Sequence, residues 1–239
     1  MRVALLLSGE LRDSIESYKL LKENLLDIHN PDVFISTWEN LVPVKNTRLK
    51  NLPPVNDTDY QELLRMYNPI NFEVEDYSSG FEDIWNSKTR QNFHKLETNA
   101  NLISIISMWY KTMRVNQLKS DYESLMGFKY DIVIKSRPDL KIHEPIPLFP
   151  PYDNTLYIPK GWDWSGGWND LLAFGSSEVM DIYGNIFNGL EEVTNKMHRI
   201  NPERFLKRYI QTQTDLEIER PKISISLRGM KIEDTYIWC

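Results

Sequence analysis

The sequence is poor in cysteine and histidine, and this shortage excludes several kinds of site. The single cysteine, Cys239, is the last of 239 residues, so the chain can form no internal disulfide and no cysteine-based metal centre. The four histidines are scattered, which favours surface positions over metal ligation; they are His29, His94, His143 and His198. A hydrolase triad built on histidine is therefore poorly supported.

Common catalytic motifs and long hydrophobic runs are also missing. The chain contains no GxGxxG, P-loop, HExxH, CxxC or GxSxG pattern. The apolar run at residues 3–7 is too short for the core of a signal peptide or for a membrane span. We therefore expect no membrane span and a soluble, cytoplasmic protein.

Neither sign of charge dominates the sequence. Its 28 basic and 34 acidic residues are interspersed and give a net charge of −6, so nucleic acid is not an expected partner. Hydrophobic residues make up 41% of the chain, enough for a substantial core. Because no repeat or linker interrupts the pattern, we predict a single catalytic domain over residues 1–239.

The hydrophobic pattern predicts an α/β fold with a mostly parallel central sheet flanked by helices. A strand over 3–7, a helix over 14–28 and a strand over 32–37 follow each other in the βαβ order of a parallel sheet. A long helix over 101–126 leads to a buried strand centred on 132–134. Other predicted elements are a helix over 60–67, strands over 71–75, 156–158, 216–219 and 223–227, and helices starting at the caps Ser176 and Asn201. The segment over 39–55 is predicted to be a long excursion or a lid, and the segment over 78–98 to be irregular.

The segment 130–140, YDIVIKSRPDL, carries the most informative chemistry. Its β-branched run is typical of a strand that is covered on both faces. Pro138 ends the strand and favours an extended Arg137, so Asp139 is expected at the carboxyl edge of the sheet, where open α/β sheets bind ligands. The alternative is a simple surface ion pair between Arg137 and Asp139.

Polar groups follow other predicted strand ends. The sequence SGELR follows the first strand, and Trp168, Asn169 and Asp170 follow a glycine pair. Together with DVFISTW, YDIVIKSRPDL and GGWNDLLAFGSSEVMDIY, these segments resemble small GT-A-fold glycosyltransferases of the kind encoded by large algal viruses and bacterial polysaccharide clusters. The resemblance spans roughly residues 2–228 and leaves 39–55 unmatched. It implies a GT-A-like fold, a UDP- or GDP-sugar donor, a glycan acceptor and a divalent cation, Mn²⁺ or Mg²⁺.

The resemblance also implies roles for particular residues on the donor side. Asp139 occupies the place of the metal-binding carboxylate of the DxD motif, whereas Arg137 stands where the first aspartate would be. A guanidinium at that position could hold a phosphate or a sugar hydroxyl. The expected nucleotide and phosphate contacts are Ser8, Gly9, Arg12, Lys111, Arg114 and Arg137. The alternatives are an ordinary strand–helix turn at 8–12 and a solvated helix face at 111–114.

On the acceptor side, Asp170 matches the carboxylate that orients or deprotonates the acceptor hydroxyl, and it is our predicted base. The alternative for Asp170 is a helix cap. Trp162, Trp164 and Trp168 crowd the same loop and could stack on a sugar, although a core position is the usual one for a single tryptophan. Both inverting and retaining transfer remain open.

Two other functions stay open at this point. A catalytically inactive sugar- or nucleotide-binding relative would keep the aromatic loop and lose metal dependence. Arg137, which replaces the first aspartate of the motif, favours this alternative. A nucleotidyltransferase would use a similar sheet, but it would need a glycine-rich phosphate loop near the first strand, where SGELR offers one glycine.

Overall fold

The structure is a computed structural model that describes residues 1–12, 14–39, 57–77, 102–148, 154–195 and 197–227. The predicted lid over 39–55 (apart from residue 39) and the predicted irregular segment over 78–98 lie outside the described residues, as do His94 and Cys239.

The strands follow the predicted order along the chain. They are β1 (Val3–Ser8), β2 (Asp32–Trp38), β3 (Asn71–Glu75), β4 (Ile132–Ser136), β5 (Lys141–Ile142), β6 (Thr155–Tyr157), β7 (Leu172–Gly175), β8 (Glu217–Glu219) and β9 (Ile225–Ser226). In the described part of the chain, a seven-stranded sheet has the order β3-β2-β1-β4-β7-β6-β8. Only β7 in this sheet runs against the others, and β5 pairs separately with β9. The predicted mostly parallel α/β architecture is confirmed.

Helices cover both faces of this sheet. They are α1 (Ser14–Leu21), continued by a π-helical turn (Lys22–Leu26) and α2 (Asp27–His29), then α3 (Asp57–Tyr67), α4 (Leu102–Met126), α5 (Ser177–Gly184), α6 (Leu190–Thr194) and α7 (Pro202–Gln213). The predicted caps are confirmed, because the side chains of Ser176 and Asn201 accept hydrogen bonds from the backbone at the start of α5 and α7.

Alternation along the buried strands divides the core into two apolar clusters. In β1, Leu6 packs in the cluster with Trp109 of α4, whereas Leu5 and Leu7 pack in the cluster with Leu21 of α1. Successive side chains of a strand point to opposite faces, so a run that is apolar throughout requires cover on both sides. Among the described helices, none is long and apolar enough to cross a bilayer.

The directions of the strands decide where functional groups meet. Because β1, β2 and β4 are parallel, the residues after them lie at one edge of the sheet. The antiparallel β7 starts at that same edge, so the residues before it, including Asp170, reach the same place. The helix α4 connects two parallel strands, and its N-terminus therefore also lies at this edge.

The opposite end of α4 is held by buried charges. Glu123 is 1% exposed and accepts hydrogen bonds from the backbone of Tyr130 at 2.9 Å and from the hydroxyl of Ser177 at 2.6 Å. Lys119 bonds the same hydroxyl and Asp181, each at 2.7 Å. These contacts join α4 to the segment before β4 and to α5, and they fix the helix whose first turns face the candidate site.

Candidate active site at the carboxyl edge of the sheet

A pocket of about 340 Å³ lies at the carboxyl edge of the sheet. Its walls come from the ends of β1, β2 and β4, the segment before β7, the loop at 161–169 and the first turns of α4 and α7. The polar and aromatic residues that line it are Ser8, Gly9, Glu10, Arg12, Trp38, Ser104, Ser107, Arg137, Trp162, Trp164, Asp170 and Glu203.

The pocket brings together most of the predicted site residues. Ser8, Gly9, Arg12, Arg137 and Asp170 line it, although they come from three separate segments of the chain. Lys111, Arg114, Asp139 and Trp168 do not line it. The assigned roles of all these residues stay predictions, and the contacts below show what each is placed to do.

The turn after β1 has the backbone that its sequence requires. Gly9 has a φ of +110°, a conformation that other residues rarely adopt. Its N–H donates to the Ser36 carbonyl at 3.1 Å, and its carbonyl accepts from the Thr37 hydroxyl at 2.8 Å. The turn is thereby bound to β2, and it exposes its backbone to the pocket without a side chain at Gly9.

A buried ion pair closes the turn after β4. The Nε and Nη2 atoms of Arg137 donate to the two carboxylate oxygens of Asp139 at 2.9 and 2.8 Å, and Nη1 of Arg12 lies 3.7 Å from the same carboxylate. Burial alone would raise the pKa of the Asp139 carboxyl, but the charges of Arg137 and Arg12 hold this pKa below its usual value. Asp139 is 4% exposed, so the alternative of a surface ion pair does not describe this contact.

These contacts do not fit a divalent cation at Asp139. Both oxygens that could bind the ion already accept hydrogen bonds from Arg137, whose positive charge opposes a second cation. Among the described residues, no group of three or more His, Cys, Asp or Glu side chains could hold a metal ion. Metal binding at Asp139 stays a prediction, and no step proposed below depends on it.

A buried lysine that the sequence reasoning missed supports Asp170. Lys135 lies in β4 and donates from Nζ to the Asp170 backbone carbonyl at 2.8 Å. Burial lowers the pKa of Lys135 to about 8, against the opposing charge of Asp170. The sequence signal that could have identified Lys135 is its position inside an otherwise apolar strand. A lysine buried there requires a polar partner.

The carboxyl group of Asp170 is held in the pocket wall without a side-chain donor among the described residues. Asp170 is 5% exposed, and burial raises the pKa of its carboxyl against the opposing charges of Lys135 and Arg137. A raised carboxyl pKa favours proton transfer near neutral pH. The alternative role, a helix cap, is not seen here, because the next element is the strand β7.

Glu203 joins Asp170 and Glu10 as the third acidic residue in the pocket, and the sequence reasoning missed it as well. It lies in the first turn of α7, where an acidic residue is usually explained by the helix dipole. Burial and the charge of Asp170 raise the pKa of the Glu203 carboxyl to about 8. The charge of Asp170 therefore affects the ionisation of Glu203 within the pocket.

The loop at 161–169 is fixed to α7 and to the sheet edge. The Trp168 N–H donates to the Glu203 carbonyl at 3.0 Å. A Cβ on Gly167 would overlap the peptide that joins Glu203 and Arg204, so glycine is required there. Within the loop, Trp162 is 8% exposed and Trp164 is 40% exposed, which leaves Trp164 the better placed to stack on a sugar.

Lys111 and Arg114 are engaged away from the pocket lining. Lys111 is fully buried, pairs with Glu75 and with Glu73, and lies 4.1 Å from the centre of the Trp38 ring. Arg114 donates from Nε to Glu73 at 3.1 Å. Both residues tie α4 to β3, and a contact with a diphosphate stays a prediction for each.

Comparisons with known proteins give little beyond the course of the chain. No protein-family model matches the sequence, and no curated protein matches it. Among solved structures, the chain is similar to mouse xyloside xylosyltransferase 1 in its apo form, with a TM-score of 0.46 and 6% sequence identity. The match covers 92% of this chain and 84% of the mouse chain. This similarity is too low to assign a function. The functional proposal is therefore based on the residues of the pocket.

The ion pair at the end of β4 predicts a large stability effect. Asp139→Asn would leave the half-buried guanidinium of Arg137 without its counter-ion, and the free energy of unfolding should fall by about 3 kcal/mol, the lower end of the range for buried pairs. Urea unfolding at neutral pH measures this change. Because the pKa of Asp139 is lowered on folding, its contribution should be present above its unfolded pKa and disappear as the pH falls through the folded value. Asp215→Asn at an exposed site is the control, and equal stability of both variants would contradict the assignment.

Glu203 predicts a pH dependence of the opposite sign. Its carboxyl pKa rises from 4.5 to about 8 on folding, so its contribution to stability is full below about pH 4.5 and is lost as the pH rises through about 8. The charged groups that act on it are Asp170, Arg137 and Asp163. Glu203→Gln should therefore reduce the loss of unfolding free energy between about pH 5 and pH 8.5.

The matched control for Glu203 is Glu178→Gln, because Glu178 is an exposed glutamate in the first turn of another helix. Urea unfolding across this pH range should give Glu178→Gln the wild-type pH dependence. If Glu203→Gln also keeps the wild-type dependence, the carboxyl of Glu203 is not protonated in the folded protein at neutral pH.

Proposed function

We propose that the protein is a glycosyltransferase that takes a sugar from a UDP- or GDP-sugar and transfers it to a glycan hydroxyl. The observation that carries this proposal is the pocket at the carboxyl edge of the sheet. There, a glycine turn, two arginines and three carboxyl groups face one space beside three tryptophans. This combination supplies groups for an anionic leaving group, for an acceptor hydroxyl and for a sugar ring.

On the donor side, the charges of the pocket suit a diphosphate. Arg12 and Arg137 both line it, and guanidinium groups bind phosphate oxygens through paired hydrogen bonds. The first turns of α4 contribute Ser104 and Ser107, so the positive end of a 25-residue helix faces the same space. We propose that these groups stabilise the negative charge that develops on the leaving nucleoside diphosphate.

On the acceptor side, we assign different roles to Asp170 and Glu203. Asp170 accepts the proton of the attacking hydroxyl, and Lys135 fixes the backbone at Asp170 for this task. Glu203, which is protonated at neutral pH because its pKa is about 8, can donate a hydrogen bond to the acceptor or to the donor sugar. Trp164 offers an exposed ring for the sugar face.

A second candidate function is a catalytically inactive sugar- or nucleotide-binding protein. The observation that favours it is the Arg137–Asp139 ion pair, which engages the carboxylate that a metal-dependent transferase would use. Such a protein would bind the nucleotide sugar and release no free sugar.

The direct test is a panel of nucleotide sugars, each added with Mn²⁺ and, separately, with EDTA. A bound donor should raise the melting temperature, since a ligand at 100 times its Kd stabilises the folded state by about 2.7 kcal/mol. Arg137→Gln should reduce this shift, and Arg65→Gln, an exposed residue on α3, is the control. No shift with any donor under either condition would refute the proposal, and pyrophosphate release from UTP or GTP would favour a nucleotidyltransferase instead.

With the donor identified, Asp170→Asn separates catalysis from binding. Loss of a general base typically lowers the rate by about 10²–10⁴-fold while the affinity for the donor is retained. Calorimetric affinity and the rate of donor hydrolysis or transfer are measured on the same preparation, with Asp215→Asn as the control. Donor binding without turnover in the wild-type protein would establish the inactive relative, and equal loss of affinity and rate in Asp170→Asn would place Asp170 in the donor site.

A further inference from the structure

A second cleft, lined by positive charges, lies beside the candidate active site. It has a volume of about 350 Å³ and is lined by Arg199, Arg204, Lys207 and Arg208, with His198 at its side. We refer to it as the cationic cleft. No acidic side chain lines it among the described residues. This is unusual for a chain with more acidic than basic residues and a net charge of −6.

The pattern of α7 creates this surface. Phe205, Leu206 and Tyr209 are buried against the core. The exposed face of the helix carries Arg204 and Arg208, one helical turn apart. Like charges four residues apart destabilise a helix by about 0.2–0.5 kcal/mol. An anion in the cleft would offset this repulsion.

The guanidinium groups of the cationic cleft lack partners in the described part of the chain. Arg199, Arg204 and Arg208 make no ion pair and no side-chain hydrogen bond there, although elsewhere arginines such as Arg137 and Arg220 do. The Nζ atom of Lys207 donates to the neutral Gly166 carbonyl at 3.1 Å. Free guanidinium donors in a concave site match the geometry of carboxylate and phosphate groups.

The cationic cleft and the active-site pocket share the first turn of α7. Glu203 lines the pocket, and the next residue, Arg204, lines the cleft. Gly167 packs directly on the peptide between these two residues. Lys207 reaches the same loop, where its ammonium group also lies 5.8 Å from the Trp168 ring. A molecule that extends from the pocket over the loop at 161–169 would therefore reach the cleft.

We propose that the cationic cleft binds an oxyanion group, a phosphate or a carboxylate, of an anionic glycan acceptor. This oxyanion group belongs to a part of the acceptor other than the sugar that receives the transfer. It anchors the acceptor glycan while the reacting hydroxyl faces Asp170. This inference rests on the proposed function for the identity of the ligand as an acceptor. The cleft as an anion site stands on its own charges.

The test measures binding of inorganic phosphate, glucuronate and uncharged glucose to the full chain by calorimetry, at low salt and again at about 0.15 M salt. The variant R204Q/R208Q changes two exposed arginines and leaves Lys207, which packs on Trp168, in place. The control K19Q/R65Q removes the same charge from exposed positions on α1 and α3. We expect phosphate or glucuronate to bind more weakly at higher salt, and R204Q/R208Q to lose about tenfold or more in affinity while the control keeps it.

The outcomes separate the two proposals. Preference for phosphate or for glucuronate identifies the anionic group of the acceptor. Failure of both anions to bind, binding of glucose with equal affinity, or equal loss in the control variant would overturn the proposed anion site. If the anions bind as expected but no nucleotide sugar raises the melting temperature, the glycosyltransferase proposal fails and the cationic cleft remains an anion site of another function. R204Q/R208Q should still show the wild-type shift with the donor, because neither residue lines the pocket.

Discussion

The buried ion pair between Arg137 and Asp139 is the contact on which the candidate site depends. It folds the turn after β4 so that both carboxylate oxygens are engaged, and it draws Arg12 from the turn after β1 to the same place. Two turns at the edge of the sheet are thereby held together by two half-buried arginines around one buried carboxylate. Because such a pair is costly to break, it fixes the positions of both guanidinium groups beside the pocket.

The same contact gives the pocket its electrostatic character. A metal-dependent transferase uses carboxylates and a cation to neutralise a leaving diphosphate. In this protein the carboxylate of Asp139 is engaged by arginines, and the pocket presents the guanidinium groups themselves together with the start of α4. Of the three carboxyl groups that line the pocket, two have raised pKa values: burial raises the pKa of Asp170, and burial together with the charge of Asp170 raises that of Glu203. Such pairs are typical of acid–base chemistry near neutral pH.

The sequence predicted the architecture well where a pattern had a direct physical cause. The apolar runs predicted β1, β2 and β4, and the caps Ser176 and Asn201 marked the starts of two helices. The edge of the sheet was also predicted, so Ser8, Gly9, Arg12, Arg137 and Asp170 meet in one pocket.

The missed features depend on contacts between distant segments. Lys111 was expected on an exposed or ligand-facing side of α4, but it is buried because Glu73 and Glu75 of β3 supply its counter-charges. Glu203 was missed because its place in the pocket depends on the distant loop at 161–169, which packs on α7 through Gly167 and the Trp168 N–H. Neither contact has a local signature in the sequence, since each joins residues at least 30 positions apart (111 and 75; 203 and 167).

The central claim is that the pocket at the carboxyl edge binds a nucleotide sugar. An NMR titration of the tryptophan indole N–H signals with UDP, GDP, UDP-sugars and GDP-sugars tests it most directly. Trp38, Trp162 and Trp164 line the pocket, whereas Trp109 is fully buried in the core cluster and serves as an internal reference. We predict that one nucleotide shifts the signals of the pocket tryptophans in a saturable way and leaves the Trp109 signal unchanged. Saturable binding that leaves all three pocket signals in place, or no binding by any of these ligands, would contradict it.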